Sequence, residues 1–257
     1  MTRENKTRAS LEGLVESEDL GLEILHPGGL EITRELAELC QVSKHTKLLD
    51  VASGTGESAC YLIEHFGCHV VGIDASGHMI EQARRKAKAR SLNVEFKQGD
   101  AHSLPFEENT FDAVISECTT CILDKKKAIQ EMVRVAKAGG YIGIHDICWK
   151  ATTPESLKDR LAKIEGEKPE TLAGWKDLFE QAGLIDLMVV DRSDLIPTWT
   201  KGIKKQLGLG GQLRIFLKVT RKWGIKGLQN IWQSQQIFQS EHTGYGIIVG
   251  RKPFIGR

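Results

Sequence analysis

The stretch LLDVASGTGESA, Leu48 to Ala59, joins an apolar run to an acid and to two glycines one residue apart. An apolar run that ends in a glycine turn is typical of a buried strand leading into a helix, with a ligand bound over the turn. The segment from Gly54 to Ala59 also has the G-x-G-x-x-A spacing of dinucleotide-binding loops. This spacing alone is a weak signal, because a glycine after a strand is often only a tight turn.

The acid at the end of the predicted strand, Asp50, separates two classes of ligand. A carboxylate that faces the pyrophosphate of a dinucleotide repels it, whereas the same carboxylate attracts an ammonium or sulfonium group. We therefore expect a positively charged ligand over the loop. Asp74 ends the next predicted strand about 20 residues on, where a ribose is bound in either case. An NAD-dependent oxidoreductase is the disfavoured alternative.

Strand and helix patterns alternate on both sides of the loop. The predicted strands are KLLDV, HVVGID, VEFKQGD, FDAVISE, YIGIHDI, LIDLMVV and YGIIVGR. The predicted helices are LEITRELAEL, ESACYLIEHF, GHMIEQARRKAKAR, KKKAIQEMVRVA and TLAGWKDLFEQAG. This alternation is typical of a parallel sheet covered by helices. It predicts an α/β fold with a doubly wound, seven-stranded, mostly parallel sheet and a helical insertion before the last strand.

The chain as a whole sets limits on its class. Its 257 residues suit one large α/β domain with an insertion, and its formal net charge of +1 gives no reason to expect nucleic acid as a partner. No apolar run is long enough to cross a bilayer, and the polar N-terminal residues show no secretory signal. Six cysteines without a disulfide framework suit a reducing compartment. We expect a cytoplasmic protein with a polar leader over residues 1–25 and one domain over residues 26–257.

The insertion, at about residues 195–242, has an uneven charge. It has no Asp or Glu from Leu195 to Ser240, while eight residues in the same stretch are basic. Those residues are Lys201, Lys204, Lys205, Arg214, Lys218, Arg221, Lys222 and Lys226. We predict a solvated helical cap over the mouth of the site. A surface for an anionic substrate or for membrane headgroups, which would allow peripheral membrane contact, is the alternative.

Four quoted segments, in this order along the chain, carry a family resemblance. They are LLDVASGTG, VVGIDAS, GDAHSLPFEENTFDAVIS and AIQEMVRVAKAGGYIGIHD. From about His26 to the closing GYGIIVGRKP, the chain resembles the class I S-adenosylmethionine-dependent methyltransferases. Within that class it is similar to the small-molecule group of the ubiquinone/menaquinone C-methyltransferases and the metalloid (arsenite) methyltransferases. The resemblance implies a Rossmann-like methyltransferase fold, S-adenosyl-L-methionine as cofactor and a small-molecule acceptor.

The resemblance also implies which residues contact the cofactor. The methionine moiety is assigned to Asp50, Ser53, Gly54 and Gly56, and the ribose and adenine to Asp74, Ala75, Met79, Asp100 and Ala101. Three residues depart from the family pattern. Ala52 and Ser53 replace the commoner glycine and cysteine, and His102 stands where an acid is frequent. These departures remove no cofactor-binding carboxylate, so they bear on affinity alone.

The catalytic candidates follow the fourth and fifth predicted strands. Methyl transfer from a sulfonium is an in-line displacement that depends on positioning, and a base helps when the acceptor is a phenol, an acidic carbon or an amine. The candidates are Glu117, Cys118, Cys121 and His145, with Asp146 beside them. His26, in the HPGG segment before the first helix, either faces the acceptor or lies in a plain turn.

The cysteines leave a second chemistry open. Cys118 and Cys121 in SECTTC, with Cys148 after the fifth strand, place three thiols near the expected methyl position, and thiolates suit trivalent arsenic. A thiol-dependent metalloid methyltransferase is therefore an alternative, although free cysteines are often only small buried apolar residues. No resident metal is predicted, since His145 and Cys148 lie three apart on a strand end and point to opposite faces. A non-catalytic cofactor-binding module is the last alternative.

Overall fold

The computed structural model describes residues 26–254, apart from the side chains of residue 200 and residues 203–206. The predicted leader, residues 1–25, lies outside the described residues. The strands are β1 (Lys47–Val51), β2 (His69–Asp74), β3 (Glu95–Gln98), β4 (Phe111–Glu117), β5 (Ala136–Trp149), β6 (Glu170–Thr171), β7 (Ile185–Asp191) and β8 (Thr243–Arg251). The helices are α1 (Gly29–Leu39), α2 (Glu57–Phe66), α3 (Gly77–Ala89), α4 (Lys125–Val135), α5 (Glu155–Ile164), α6 (Leu172–Gln181) and α7 (Ile196–Phe238).

The strands form one sheet in the order β3-β2-β1-β4-β5-β8-β7, and the short β6 pairs with β5. Strands β1 to β6 pair in parallel, whereas β8 runs antiparallel to both β5 and β7. The strand order reverses between β1 and β4, which is where doubly wound sheets bind ligands, outside the carboxyl ends of the strands. The predicted fold class is therefore confirmed, with the two-residue β6 as an addition to the seven predicted strands.

Helices cover both faces of the sheet. Helices α1, α2 and α3 bury Leu36, Leu62 and Ile80 in the cluster on one face, and α4 and α6 bury Met132 and Trp175 in the cluster on the other. Strand β4 between them is almost wholly buried, as expected of a central strand covered on both faces. This packing fixes the carboxyl ends of β1, β2, β4 and β5 at a common edge.

The predicted helical insertion is confirmed as α7. Gly208 and Gly224 have non-helical backbone angles, so the helix is interrupted at both. Its two ends pack on the body through Ile196 and Phe238, and much of its middle is exposed. The exposed large apolar side chains on it are Leu209, Leu213, Phe216, Leu217, Ile225 and Trp232. The alternative of a surface for anionic or membrane partners stays a prediction.

No helix in the described part of the chain combines the length and the apolar character that a bilayer crossing needs.

Besides the added β6, two elements differ from the prediction. Strand β5 begins at Ala136, before the double glycine Gly139-Gly140, because Phe111 pairs with Ala136 ahead of a bulge in the β4–β5 ladder. Helix α5 was not predicted, although Leu157, Leu161 and Ile164 recur at helical spacing and two of them are buried. The remaining predicted strands and helices agree with the structure to within about three residues at their ends.

Candidate active site

The glycine loop leaves β1 and turns directly into α2. Ser53 donates its backbone N–H to the Ile73 carbonyl at 3.0 Å, and Gly56 donates to the Ser53 carbonyl at 2.9 Å. Gly54 and Gly56 both have left-handed backbone angles, with φ of +52° and +74°. A Cβ on Gly54 would have no neighbour within 4 Å, so Gly54 borders open space. The loop therefore presents bare backbone toward the place where a ligand over this turn would lie.

Gly56 instead holds the loop against α3 and β3. A Cβ there would lie 2.6 Å from the Phe96 ring and 2.8 Å from Ala83 Cβ. We expect Gly56→Ala to lower the free energy of unfolding by about 3 kcal/mol, because overpacking adds to the strain of positive φ. Gly54→Ala carries the strain alone and should cost about 1–2 kcal/mol. Urea unfolding of both variants checks this, and equal losses would contradict the assigned close packing.

Asp50 and Ser53 carry polar atoms that have no partner. Asp50 is 2% exposed, and neither its Oδ2 nor the Ser53 Oγ makes a hydrogen bond among the described residues. Burial raises the pKa of Asp50 well above its usual range, and the nearby Glu117 and Asp74 raise it further. A buried carboxylate without a partner is costly, so a cationic ligand beside it would be stabilising. These orphaned atoms fit the ammonium or sulfonium of S-adenosylmethionine.

Asp74 connects the glycine loop to the end of β2. Its two carboxylate oxygens accept hydrogen bonds from the backbone N–H groups of Gly54, at 3.0 Å, and Ser76, at 2.8 Å. Burial raises the pKa of Asp74, against the effect of those two hydrogen bonds. Ala75 follows it, and Met79 lies buried in the first turn of α3. The predicted ribose and adenine contacts thus lie next to the loop.

Asp100 is more exposed than the other predicted cofactor carboxylates. It accepts hydrogen bonds from the His102 backbone N–H at 2.9 Å and pairs with the His102 ring at 2.7 Å. These contacts lower the pKa of Asp100. The other ring nitrogen of His102 accepts from the Asp124 backbone N–H at 3.0 Å. His102, one of the three residues that depart from the family pattern, therefore contacts the Asp100 carboxylate. Asp100 and the adjacent Ala101 are among the residues that the resemblance assigns to the adenine.

His26, Glu117 and His145 converge at the carboxyl ends of β4 and β5. His145 Nε2 lies 2.9 Å from Glu117 Oε1, and His26 Nε2 lies 3.5 Å from Glu117 Oε2. The His145 side chain is fully buried, and those of His26 and Glu117 are 10% and 7% exposed. The two imidazole centroids are 4.7 Å apart. The structure thus unites two of the predicted catalytic candidates with the histidine of the HPGG segment.

The cluster places one buried carboxylate against two imidazole rings. Although burial raises the pKa of Glu117, the facing imidazoles of His145 and His26 and the hydrogen bond donated by Ser58 lower it to about 2. Burial lowers the pKa of His26 to about 4, and the His145 ring contributes to this shift. At neutral pH Glu117 is therefore ionised and His26 is uncharged.

Tyr245, on β8, completes the cluster and was not singled out in the sequence. Its hydroxyl lies 2.5 Å from His145 Nδ1 and 3.2 Å from Cys118 Sγ, and it is fully buried. Burial raises the pKa of Tyr245 well above its usual range. A buried aromatic with a polar tip in a strand beside β5 is the signal that would have found it. Tyr245 orients the His145 ring from the side opposite Glu117.

The three thiols of the SECTTC segment and β5 are divided between two apolar cores, and a common thiol site stays a prediction. Cys118 packs with the core on one face of the sheet, whereas Cys121 and Cys148 belong to the core on the other face. Burial raises the pKa of the Cys118 and Cys121 thiols well above their usual range and that of Cys148 to about 12. Thiols held protonated are poor ligands for a metalloid. The Cys121 backbone N–H donates to Asp146, whose pKa burial raises to about 6.

Comparison with known proteins agrees with this geometry. Residues 42–194, more than half of the chain, match the family described as a methyltransferase domain. An uncharacterized protein of Haemophilus influenzae is 32% identical over 205 residues, which cover 76% of this chain and 80% of that protein. Phosphoethanolamine N-methyltransferase 1 of Arabidopsis thaliana is 33% identical over 168 residues, or 65% of this chain. The match spans 34% of the plant enzyme, about a third of its length.

A solved structure shows the same fold. Haemonchus contortus phosphoethanolamine N-methyltransferase 2, in complex with phosphomonomethylethanolamine and S-adenosylhomocysteine, superposes with a TM-score of 0.74 at 22% sequence identity. The superposition covers 94% of this chain and 57% of that one. The family match and the sheet topology agree. The chain therefore belongs to the methyltransferase domain family and is a class I S-adenosylmethionine-dependent methyltransferase.

Proposed function

We propose that the protein transfers the methyl group of S-adenosylmethionine to a small organic acceptor whose nucleophilic atom lies beside Glu117 and His145. One observation carries the proposal. Glu117 is a buried, ionised carboxylate whose Oε1 has no hydrogen-bond partner among the described residues, and its charge is close enough to raise the pKa of Asp50. A polar group of this kind, beside the residue assigned to the methionine moiety, supports an acceptor site.

The proposed role of Glu117 is electrostatic. In the displacement the methyl–sulfur bond breaks and its electron pair goes to sulfur, while the acceptor's lone pair forms the new bond. Positive charge passes from the sulfonium to the acceptor until the acceptor loses a proton. A carboxylate with a pKa of about 2 is a weak proton acceptor, but it supplies fixed negative charge where that positive charge develops. It also orients an N–H or O–H of the acceptor.

The apolar body of the acceptor is proposed to lie under the start of α7. A Cβ on Gly28 would lie 2.9 Å from Leu195 Cδ1, so the HPGG segment and the insertion are in contact. Trp199 packs with the core that contains Tyr245, and its indole Nε1 is buried without a partner in the described part of the chain. An apolar or aromatic acceptor with one polar atom suits these surroundings.

Trp199→Ala should therefore raise the KM for the acceptor by about 10-fold or more, since an aromatic contact with the acceptor is lost. The Kd for S-adenosylmethionine should stay near the wild-type value. Trp232→Ala is the matched control, because Trp232 lies on the same helix and is 62% exposed. Steady-state kinetics measures the effect, and an unchanged KM in a folded Trp199→Ala variant would contradict the proposed contact between Trp199 and the acceptor.

The experiment that tests the proposed function follows labelled methyl from S-adenosylmethionine into fractionated cell extract. We expect label in a water-soluble or lipid small molecule. Label confined to a metalloid species or to macromolecules would contradict the proposal. No label in any fraction would contradict it as well and would favour the non-catalytic cofactor-binding module.

A further inference from the structure

The His26–Glu117–His145 cluster has the dimensions of a metal site. One ligand atom from each side chain lies within 4.8 Å of the others, and this is the one such set of three among the residues that the structure describes. Ligand atoms about 2.1 Å from an ion lie about 3.0–3.4 Å from one another in octahedral or tetrahedral arrangements. The separations of 2.9 Å and 3.5 Å to the two Glu117 oxygens bracket that range.

Each proposed ligand is also contacted by a further group. His26 Nδ1 lies 3.4 Å from the Pro27 carbonyl, and His145 Nδ1 lies 2.5 Å from the Tyr245 hydroxyl. Ser58 donates a hydrogen bond to Glu117 Oε2. Metal-binding imidazoles are characteristically oriented in this way, through the ring nitrogen that does not bind the ion. Both Nε2 atoms are left facing the carboxylate.

Two atoms in the middle of the cluster have no hydrogen bond. They are Glu117 Oε1 and His145 Nε2, and the contact between them does not have hydrogen-bond geometry. Leaving two buried polar atoms without a hydrogen bond to any described residue costs free energy that a bound group would recover. We propose that His26, Glu117 and His145 bind one divalent transition-metal ion, such as Zn²⁺, Fe²⁺ or Mn²⁺.

The three ligand atoms indicate which ions would bind and what a bound ion could do. Two imidazole nitrogens and one carboxylate oxygen suit zinc and first-row transition metals better than calcium, which prefers oxygen ligands alone. Three protein ligands leave coordination positions open. The inference rests on the proposed function and refines it: with the ion bound, Glu117 would act as a ligand of the ion instead of directly on the acceptor, and the open positions would take an oxygen or nitrogen atom of the acceptor and fix it against the methyl group. Binding of the ion itself does not depend on that function.

The test uses the full chain, treated with a chelator, desalted and titrated with Co²⁺ as a spectroscopic probe. We expect one ion per chain, with visible absorption from nitrogen–oxygen coordination and a Kd on the order of 1 µM or tighter. His26→Gln should raise that Kd by about 100-fold, and Tyr245→Phe, which removes only an orienting contact, by about 10-fold. His65→Gln, at an exposed position on α2, should leave it unchanged.

Binding of S-adenosylmethionine shows that each variant is folded, since His26 has no assigned part in it. Absence of one-to-one binding by the wild type would overturn the proposal, and so would equal affinity of the His26→Gln and His65→Gln variants. If the ion does not bind while labelled methyl still reaches a small acceptor, the metal site is wrong and the proposed function stands.

Discussion

Glu117→Gln should lower kcat by at least about 100-fold while the Kd for S-adenosylmethionine changes little. The substitution keeps the shape of the side chain and removes its charge. The loss follows because a preorganised charge at the reacting atoms is worth about 3 kcal/mol or more. Glu117 lies at the carboxyl end of β4, facing His145 and His26, where we propose that the acceptor binds. Single-turnover methyl transfer with saturating cofactor measures this step.

A matched control lies on the same strand. Asp112 is near the amino end of β4, where it accepts from the Lys47 backbone N–H at 2.8 Å and pairs with Lys137. Asp112→Asn removes one carboxylate from β4 at the opposite edge of the sheet and should leave kcat within about twofold. If both variants lost activity equally, or if Glu117→Gln changed only the KM, the electrostatic role would be wrong.

Local features of the chain predicted the scaffold well. Strands such as KLLDV and HVVGID are short apolar runs bounded by polar residues and turns, and these signals lie within a few residues of the elements that they define. The glycine loop could be placed because a strand, a turn and a helix follow one another directly. Glu117 and His145 could be selected because parallel neighbouring strands end at the same edge.

The composition of the site depends on packing that no local pattern encodes. Tyr245 reaches His145 because β8 pairs with β5 after a long helical insertion, and His26 reaches Glu117 because α1 packs across the sheet. Spacing motifs find metal ligands most readily when at least two ligands lie close together on one element or loop. The three proposed ligands lie on separate elements, so the sequence contains no such spacing for them.

The cysteines show how little a short spacing in the sequence says about packing. Cys118 and Cys121 are three apart, and such proximity suggests a common site. The chain turns sharply at Cys118, whose φ is +47°, so the two residues enter different cores. Two cysteines that are close in sequence after a strand end therefore need not pack on the same face of the sheet.

Asp50→Asn should raise the Kd for S-adenosylmethionine by about 100-fold, the largest effect that we expect on the cofactor. The carboxylate is buried with one unpartnered oxygen, so a cationic group of the ligand is its counterpart. A hydrogen-bonded charge pair of this kind is worth about 3 kcal/mol, which corresponds to that ratio. Calorimetric titration measures it, with Asp112→Asn as the control that should bind normally.

The pH dependence of cofactor affinity tests the same interaction between Asp50 and the cationic cofactor. Burial raises the pKa of Asp50, so the free protein holds a proton there above the pH at which an exposed carboxyl would lose it. Cofactor binding needs the ionised form, so the wild-type affinity should increase with pH and binding should release a proton. In the Asn variant both effects should disappear. Titration in buffers of different ionisation enthalpy detects the proton, and equal proton release by the two proteins would contradict the role of Asp50.

Without the cofactor, Asp50→Asn should increase the stability of the protein, although it weakens cofactor binding. A carboxyl whose folded-state pKa is raised binds its proton more tightly when folded, so its contribution favours folding at low pH and is lost as pH rises above its ordinary value. Above that ordinary value Asp50 must either take up a proton or be buried as a carboxylate with an unpartnered oxygen, and both cost stability, so Asp50→Asn should unfold at a higher urea concentration than the wild type. Saturating S-adenosylmethionine should reverse that order, because only the wild type gains the charge pair. A substitution that stabilises the free protein and weakens the complex would identify Asp50 as a residue retained for binding at the expense of stability.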